Sequence, residues 1–204
     1  MNNINYGLEA ERNTLFDNKN KVPLIKQNTR IFRPSEYKLF VNAIPKQDHR
    51  TMVNALLLSG MRYVEMQRFQ SNPQWFDGEF IHLPDYEQKK HKRKQKNRVV
   101  ILNSLGKQII PYFLQLSKKL PCSETWKTNL RRWTIKAGLL PDCVNVKTTR
   151  KTWESWLLSK YPTRVMEITL SQGHTSITSI QHYMSIGFNE IDKLQMDEYI
   201  GGWI

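Results

Sequence analysis

The sequence predicts a mostly helical domain with one small antiparallel sheet. Apolar residues recur at three- and four-residue spacing over most of the chain. Only two short runs, Phe80–Leu83 and Val99–Leu102, have the composition of strands. The length of 204 residues suits one domain with tails, large enough to bury a core without disulfides or metal.

Residues 1–30 are rich in Asn and Lys and weakly periodic, and read as a polar tail or linker. Order is expected from Ile31. Ser35 after Pro34 is the expected N-cap of a first helix, with Glu36 in its first turn. Leu39, Phe40, Ala43 and Ile44 form its apolar face and Pro45 stops it. A second helix is expected over about 50–58, with Met52, Val53, Leu56 and Leu57 inward and a break at Gly60. A short third helix turns Val64 and Phe69 to the core. Asn72-Pro73 marks a turn. The two strands flank a very basic connection, 85–98. A helix over 104–119 would bury Leu105, Ile109, Tyr112, Phe113 and Leu116. Another spans about 124–137, ended by Gly138. Helices follow over about 147–160 and 164–172, the latter closed by Gly173, and a short one starts near Ser176 and carries Tyr183. The last stretch, 189–204, offers a further helix with Ile191, Leu194, Met196, Tyr199, Ile200 and Trp203 as apolar anchors.

Lys and Arg number 31 against 18 Asp and Glu, a net charge of +13. An excess of that size favours a polyanionic partner, nucleic acid before an anionic membrane surface. No apolar run approaches the ~20 residues of a spanning helix, and the N-terminus lacks a secretory pattern. Cys122 and Cys143 are too few for a disulfide framework and lack metal-ligand spacing, which fits a reducing intracellular setting with each thiol at least half-buried.

Arg150 shares a helical face with Trp153 and Leu157. A guanidinium on the core side needs an anion, and a phosphate in a cleft would serve through paired hydrogen bonds. Lys147 is one turn earlier on the same face. Arg62 follows the Gly60 break, with Glu65 placed to orient it. Lys90, Lys92, Lys94 and Lys96 crowd the tip between the strands, where they meet a nucleic-acid backbone, and Lys151 is a further backbone candidate. His174 follows Gly173, and Tyr183 comes nine residues later. Each residue alone has an ordinary structural reading: a buried ion pair, a surface pair, a helix cap, a core aromatic. Together they match one task, to hold a phosphodiester, attack it with a phenolate and protonate the leaving oxygen.

That ordered set resembles the tyrosine recombinases, the phage-type integrases and their relatives. Ser59-Gly60-Met61-Arg62, with Glu65 three residues on, is similar to the family's Thr-Gly-Leu-Arg motif. Lys147-Thr148-Thr149-Arg150 is similar to its His-x-x-Arg motif, especially in archaeal virus and plasmid versions. Gln172-Gly173-His174 through Tyr183 is similar to the Leu-Gly-His segment that ends at the nucleophile. The resemblance covers about 31–186 and implies the family's catalytic-domain fold, with 187–204 as a tail that packs on its own domain or on a neighbouring protomer. By position, Arg62, Arg150 and His174 would contact the non-bridging oxygens of the scissile phosphate. Tyr183 would form a 3′-phosphotyrosyl bond, and Lys94, with Lys92 and Lys96 as alternatives, would protonate the 5′-oxygen. The resemblance requires no metal or other cofactor. It implies double-stranded DNA as substrate, a tetramer on paired sites, with which a free monomer in solution is compatible, no membrane partner, and a cytoplasmic, nucleoid-associated place in a host cell.

Two departures stand out. Lys147 replaces the usual histidine, as type IB topoisomerases also tolerate, so a relaxing topoisomerase is one alternative and a catalytically inactive DNA-binding relative another. About 30 residues precede the matched region, where integrases usually carry a DNA-clamping domain.

Overall fold

The computed structural model of the chain describes residues 22–85, 97–174 and 186–203. An antiparallel hairpin, β1 (Leu24–Lys26) and β2 (Thr29–Ile31), leads into α1 (Pro34–Asn42), α2 (Gln47–Ser59) and α3 (Tyr63–Gln70). A second hairpin, β3 (Phe80–Leu83) and β4 (Arg98–Ile101), pairs Ile81 with Val100 and Leu83 with Arg98. Then come α4 (Ser104–Leu114), α5 (Ser123–Lys136), α6 (Thr148–Lys160), α7 (Val165–Gln172) and α8 (Glu190–Ile200). The architecture is mostly helical with small antiparallel sheets, the expected class.

Helix α6 is the axis of the domain. It is buried along nearly its whole length and packs on β2, α2, α7 and α8. Trp153 and Trp156 are fully buried on it. Thr152 Oγ1 accepts from Phe32 N at 3.1 Å and Trp156 Nε1 donates to Phe32 O at 2.9 Å, so the end of β2 is stitched to α6. Helix α4 packs on α2, and Trp126 and Trp133 of α5 meet edge to face at 5.5 Å. Buried aromatic rings of this size each add a large apolar area to the core.

Several local expectations change. Residues 24–31 pair as a hairpin, all but Ile31 inside the segment read as a tail, turned by Gln27 and Asn28 at φ 46° and 55°. The first helix is capped by Arg33, not Ser35. Pro34 takes the first helical position, where a missing N–H costs nothing, and the Glu36 carboxylate accepts from Arg33 N at 2.8 Å. Val64 is exposed, because Tyr63, Met66 and Phe69 fill the inner face of α3. Tyr112 is also exposed. Helix α4 ends at Leu114; Phe113 is buried as expected, Leu105, Ile109 and Leu116 pack partly buried against the core, and Gly106 and Ile110 are buried in addition. Cys122 is exposed just ahead of α5, its Sγ 3.2 Å from Thr125 Oγ1, and Cys143 is half-buried.

The C-terminal segment folds onto its own domain. Met196, Ile200 and Trp203 are buried. Trp203 Nε1 donates to Ile101 O at 3.1 Å and Tyr161 Oη donates to Ile200 O at 3.0 Å. Ile191 and Leu194 face outward. Among the described residues, no helix is long and apolar enough to cross a membrane.

Candidate active site

Two helix ends and one strand build the site. Helix α2 ends at Gly60 (φ 57°) and α7 ends at Gly173 (φ 64°). Both glycines adopt the left-handed conformation that closes a helix, and both are hemmed in. A Cβ on Gly60 would lie 2.5 Å from Gln172 Nε2 and from Trp153 Cδ1, and one on Gly173 would lie 2.8 Å from Arg98 Cδ. At α7 the cap is double: Gly173 N donates to Leu170 O at 2.9 Å and His174 N to Thr169 O at 3.0 Å. The last carbonyls of the two helices, which carry partial negative charge, are thereby left for side chains to satisfy.

Arginines satisfy them. Arg150, one turn into α6, donates through one guanidinium nitrogen to Gly60 O at 2.8 Å and through the other to Gln172 O. Arg62, ahead of α3, donates to Gly173 O at 3.0 Å. The two arginines, 88 positions apart in sequence, thus bond to carbonyls of consecutive residues, Gln172 and Gly173. His174 is the next residue, and its Nε2 lies 3.4 Å from Arg150. Arg62, Arg150 and His174 are brought together.

Glu65 organises the arginine side of the site. Its carboxylate accepts from Arg62 at 2.6 Å through Oε1, and through Oε2 from Arg62 N at 2.8 Å and from Arg98 at 2.5 Å. Arg98 also donates to Ser171 O at 3.0 Å. Burial raises the Glu65 pKa, but Arg98, Arg62 and Arg150 outweigh it and hold the carboxyl below its ordinary value. Burial lowers Arg98, with Glu65 opposing, and the guanidinium stays charged at neutral pH.

Glu154 organises the imidazole side. It is fully buried on α6, one turn beyond Arg150. Its Oε1 is in ion-pair contact with His174 Nε2 and its Oε2 accepts from Lys151 Nζ at 2.8 Å. Burial opposes ionisation of Glu154, but His174, Lys151 and Arg150 bring its pKa down to about 2. Burial lowers the pKa of His174; Glu154 raises it, and Arg150 and Lys151 add to the lowering.

The structure places the other sequence-picked residues as follows. Lys147 is exposed immediately before α6. Lys151, picked for the nucleic-acid backbone, turns its ammonium to Glu154. Lys90, Lys92, Lys94, Lys96 and Tyr183 lie outside the described residues. Arg98 and Glu154 are additions that the sequence reading missed. For Arg98 the signal was period-two alternation with Val100, which puts both on the inner face of β4. For Glu154 it was the four-residue interval from Arg150 on a buried helix face.

No protein-family model matches this sequence, and no curated protein matches it either. Solved structures do match. XerA recombinase aligns over 87% of this chain and 64% of its own, with a TM-score of 0.60 at 18% identity. The fold is that of the tyrosine recombinase catalytic domain. The Tn1549 transposon integrase, solved with transposon right end DNA, covers 85% of this chain and 67% of its own, with a TM-score of 0.60 at 15% identity. Lambda integrase, solved as a dimer on a core site, covers 89% and 72%, with a TM-score of 0.61 at 12% identity. The chain spans 64% of the length of XerA.

Proposed function

We propose that this protein is a site-specific DNA recombinase that cleaves and rejoins double-stranded DNA through a 3′-phosphotyrosyl intermediate. The observation that carries the reading is the arginine pair with His174 at the end of α7, on a fold shared with integrases solved on DNA. Among the described residues, four cations, Arg62, Arg98, Arg150 and Lys151, and two carboxylates, Glu65 and Glu154, meet around that point. Such a site suits an anion whose charge grows as it becomes pentavalent.

In the reaction Arg62 and Arg150 hold the non-bridging oxygens of the scissile phosphate. Their contacts to helix-end carbonyls and to Glu65 fix the guanidinium planes before DNA arrives. The Tyr183 phenolate oxygen, its proton already released to solvent, bonds to phosphorus, the bond from phosphorus to the 5′-oxygen breaks, and Lys94 gives a proton to that oxygen. Lys147, immediately before α6 and three residues ahead of Arg150, adds a third cation to the phosphate. The phosphotyrosine stores the bond for attack by a 5′-hydroxyl of a second strand. Four subunits on two DNA sites complete an exchange, in the cytoplasm of the host of a mobile element.

A duplex pool randomised around a nick, in which the cleaved fragment diffuses away, tests this. Wild-type protein should accumulate a covalent adduct on a denaturing gel, and Tyr183→Phe should bind DNA but form none. Adducts persisting in Tyr183→Phe would move the nucleophile elsewhere. Plasmid relaxation without sequence preference or strand transfer would favour a topoisomerase instead. DNA binding with no adduct in the wild type would leave a binding protein only.

A further inference from the structure

We propose that Arg98 is a positioning residue for Arg62: it neutralises Glu65 from the buried side, so that the carboxylate orients Arg62 without cancelling the charge Arg62 offers to an anion. The link to DNA cleavage rests on the recombinase reading; the effect on anion binding does not.

Glu65 is buried and bonds to two guanidinium groups at once. Its Oε1 accepts from Arg62 at 2.6 Å, and its Oε2 accepts from Arg62 N at 2.8 Å and from Arg98 at 2.5 Å. A carboxylate closed on a single guanidinium makes a neutral unit. With two guanidinium groups the three side chains sum to one positive charge, and the more exposed member presents it. That member is Arg62, since the Arg98 side chain is almost wholly buried and lies too deep to reach an external anion. Burial raises the Glu65 pKa, and Arg98 leads Arg62 and Arg150 in bringing it down. Burial lowers the Arg98 pKa to about 9, so the guanidinium is charged at neutral pH.

Arg98 also steadies the carbonyl that Arg62 holds. It donates to Ser171 O at 3.0 Å, and it packs so closely on Gly173 that a Cβ there would lie 2.8 Å from Arg98 Nη1. Ser171 Oγ accepts from Ile101 N at 3.1 Å, so β4 is joined to the end of α7 at two points. Gly173 O, two residues on, accepts from Arg62 at 3.0 Å. The contacts of Arg62 to Glu65 and to Gly173 O therefore both lean on Arg98. Without the Arg98 cation, Glu65 would close on Arg62 as a neutral buried pair, and the guanidinium would be drawn off the side from which an anion arrives.

The experiment titrates inorganic phosphate into the full chain at low salt and follows the Arg62 Nε–H resonance by NMR, at a temperature where each variant is folded. Wild type should bind phosphate at Arg62, and Arg98→Met should bind it about 10-fold more weakly. The double variant Arg98→Met/Glu65→Gln should regain most of that affinity. Its three groups again sum to one positive charge, and the amide oxygen still accepts from Arg62. No phosphate response at Arg62 in the wild type, or equal affinity in wild type and Arg98→Met, overturns the proposal. A double variant as weak as Arg98→Met would assign Arg98 a structural role, through its bond to Ser171 O, and overturn it too. If Arg98→Met does not fold, Arg98→Lys decides with the double variant: it keeps the cation beside Glu65 and should bind phosphate as wild type does, and a 10-fold loss there overturns the proposal. In the nicked-duplex assay, adduct formation should slow about 10-fold in Arg98→Met and recover in the double variant. Equal adduct rates in wild type and Arg98→Met would remove Arg98 from the reaction. Phosphate affinities in the expected order, in a wild type that never forms an adduct, would sink the recombinase reading and leave the Arg98 assignment standing.

Discussion

Glu65 is the most informative residue to remove, because one carboxylate serves two arginines of unequal exposure. Arg98 has a side chain 5% exposed and bonds to Glu65 at 2.5 Å, whereas the Arg62 side chain is 27% exposed. In Glu65→Ala, Arg62 can turn to water, so its half of the loss is worth under ~1 kcal/mol. Arg98 cannot, and an uncompensated buried charge costs about 3–5 kcal/mol. For a chain of this length each kcal/mol lowers the midpoint of thermal unfolding by roughly 2–4 °C, so the expected fall is about 6–20 °C. Circular dichroism melts of the wild type, Glu65→Ala, Arg98→Met and the double variant measure it. The double variant should regain most of the loss, since replacing both members of a buried pair by apolar groups is close to neutral. The gap between wild type and Glu65→Ala should also depend on pH. The Glu65 pKa is depressed in the folded state. Its stabilisation is therefore complete above the unfolded value of about 4.3 and disappears as pH falls through the lower folded value. A fall under about 3 °C at pH 7, or losses that simply add in the double variant, would refute the buried-network account.

Three further outcomes follow from the geometry. Gly60→Ala forces a side chain into the left-handed conformation and against Gln172 and Trp153, so it should lose about 1–3 kcal/mol in urea unfolding and weaken DNA binding, because Gly60 O is a partner of Arg150. Trp203→Ala removes a buried indole and its bond to Ile101 O, and should cost about 3–5 kcal/mol by the same measurement. Arg150→Ala should retain the fold with two unpaired carbonyls, at a cost of about 1–3 kcal/mol, and slow DNA adduct formation by about 10²–10³.

Much of the fold is legible in the sequence for simple reasons. Gly60, Gly138 and Gly173 punctuate strongly periodic helices, and Phe80–Leu83 with Val99–Leu102 stand out as short apolar runs. The hairpin at 24–31 is not legible, since three-residue strands around Gln27-Asn28 carry little periodicity and owe their burial to α6 and the loop before it. Arg62 and Arg150 can be picked from motif and helix phase. Arg98 and Glu154 are masked by composition. Arg98 follows a run of lysines and reads as solvated, and Glu154 sits between Trp153 and Ser155 with the cations Arg150 and Lys151 of its own helix nearby. Their partners, Glu65 and His174, are distant in sequence, and only tertiary packing reveals the need for a buried countercharge.

The most direct measurement is mass spectrometry of the peptide that carries DNA after adduct trapping on the nicked duplex pool. The account predicts a phosphodiester bond to Tyr183, lost in Arg62→Ala and Arg150→Ala alike. A bond to any other residue, or undiminished yield in both arginine variants, would contradict it.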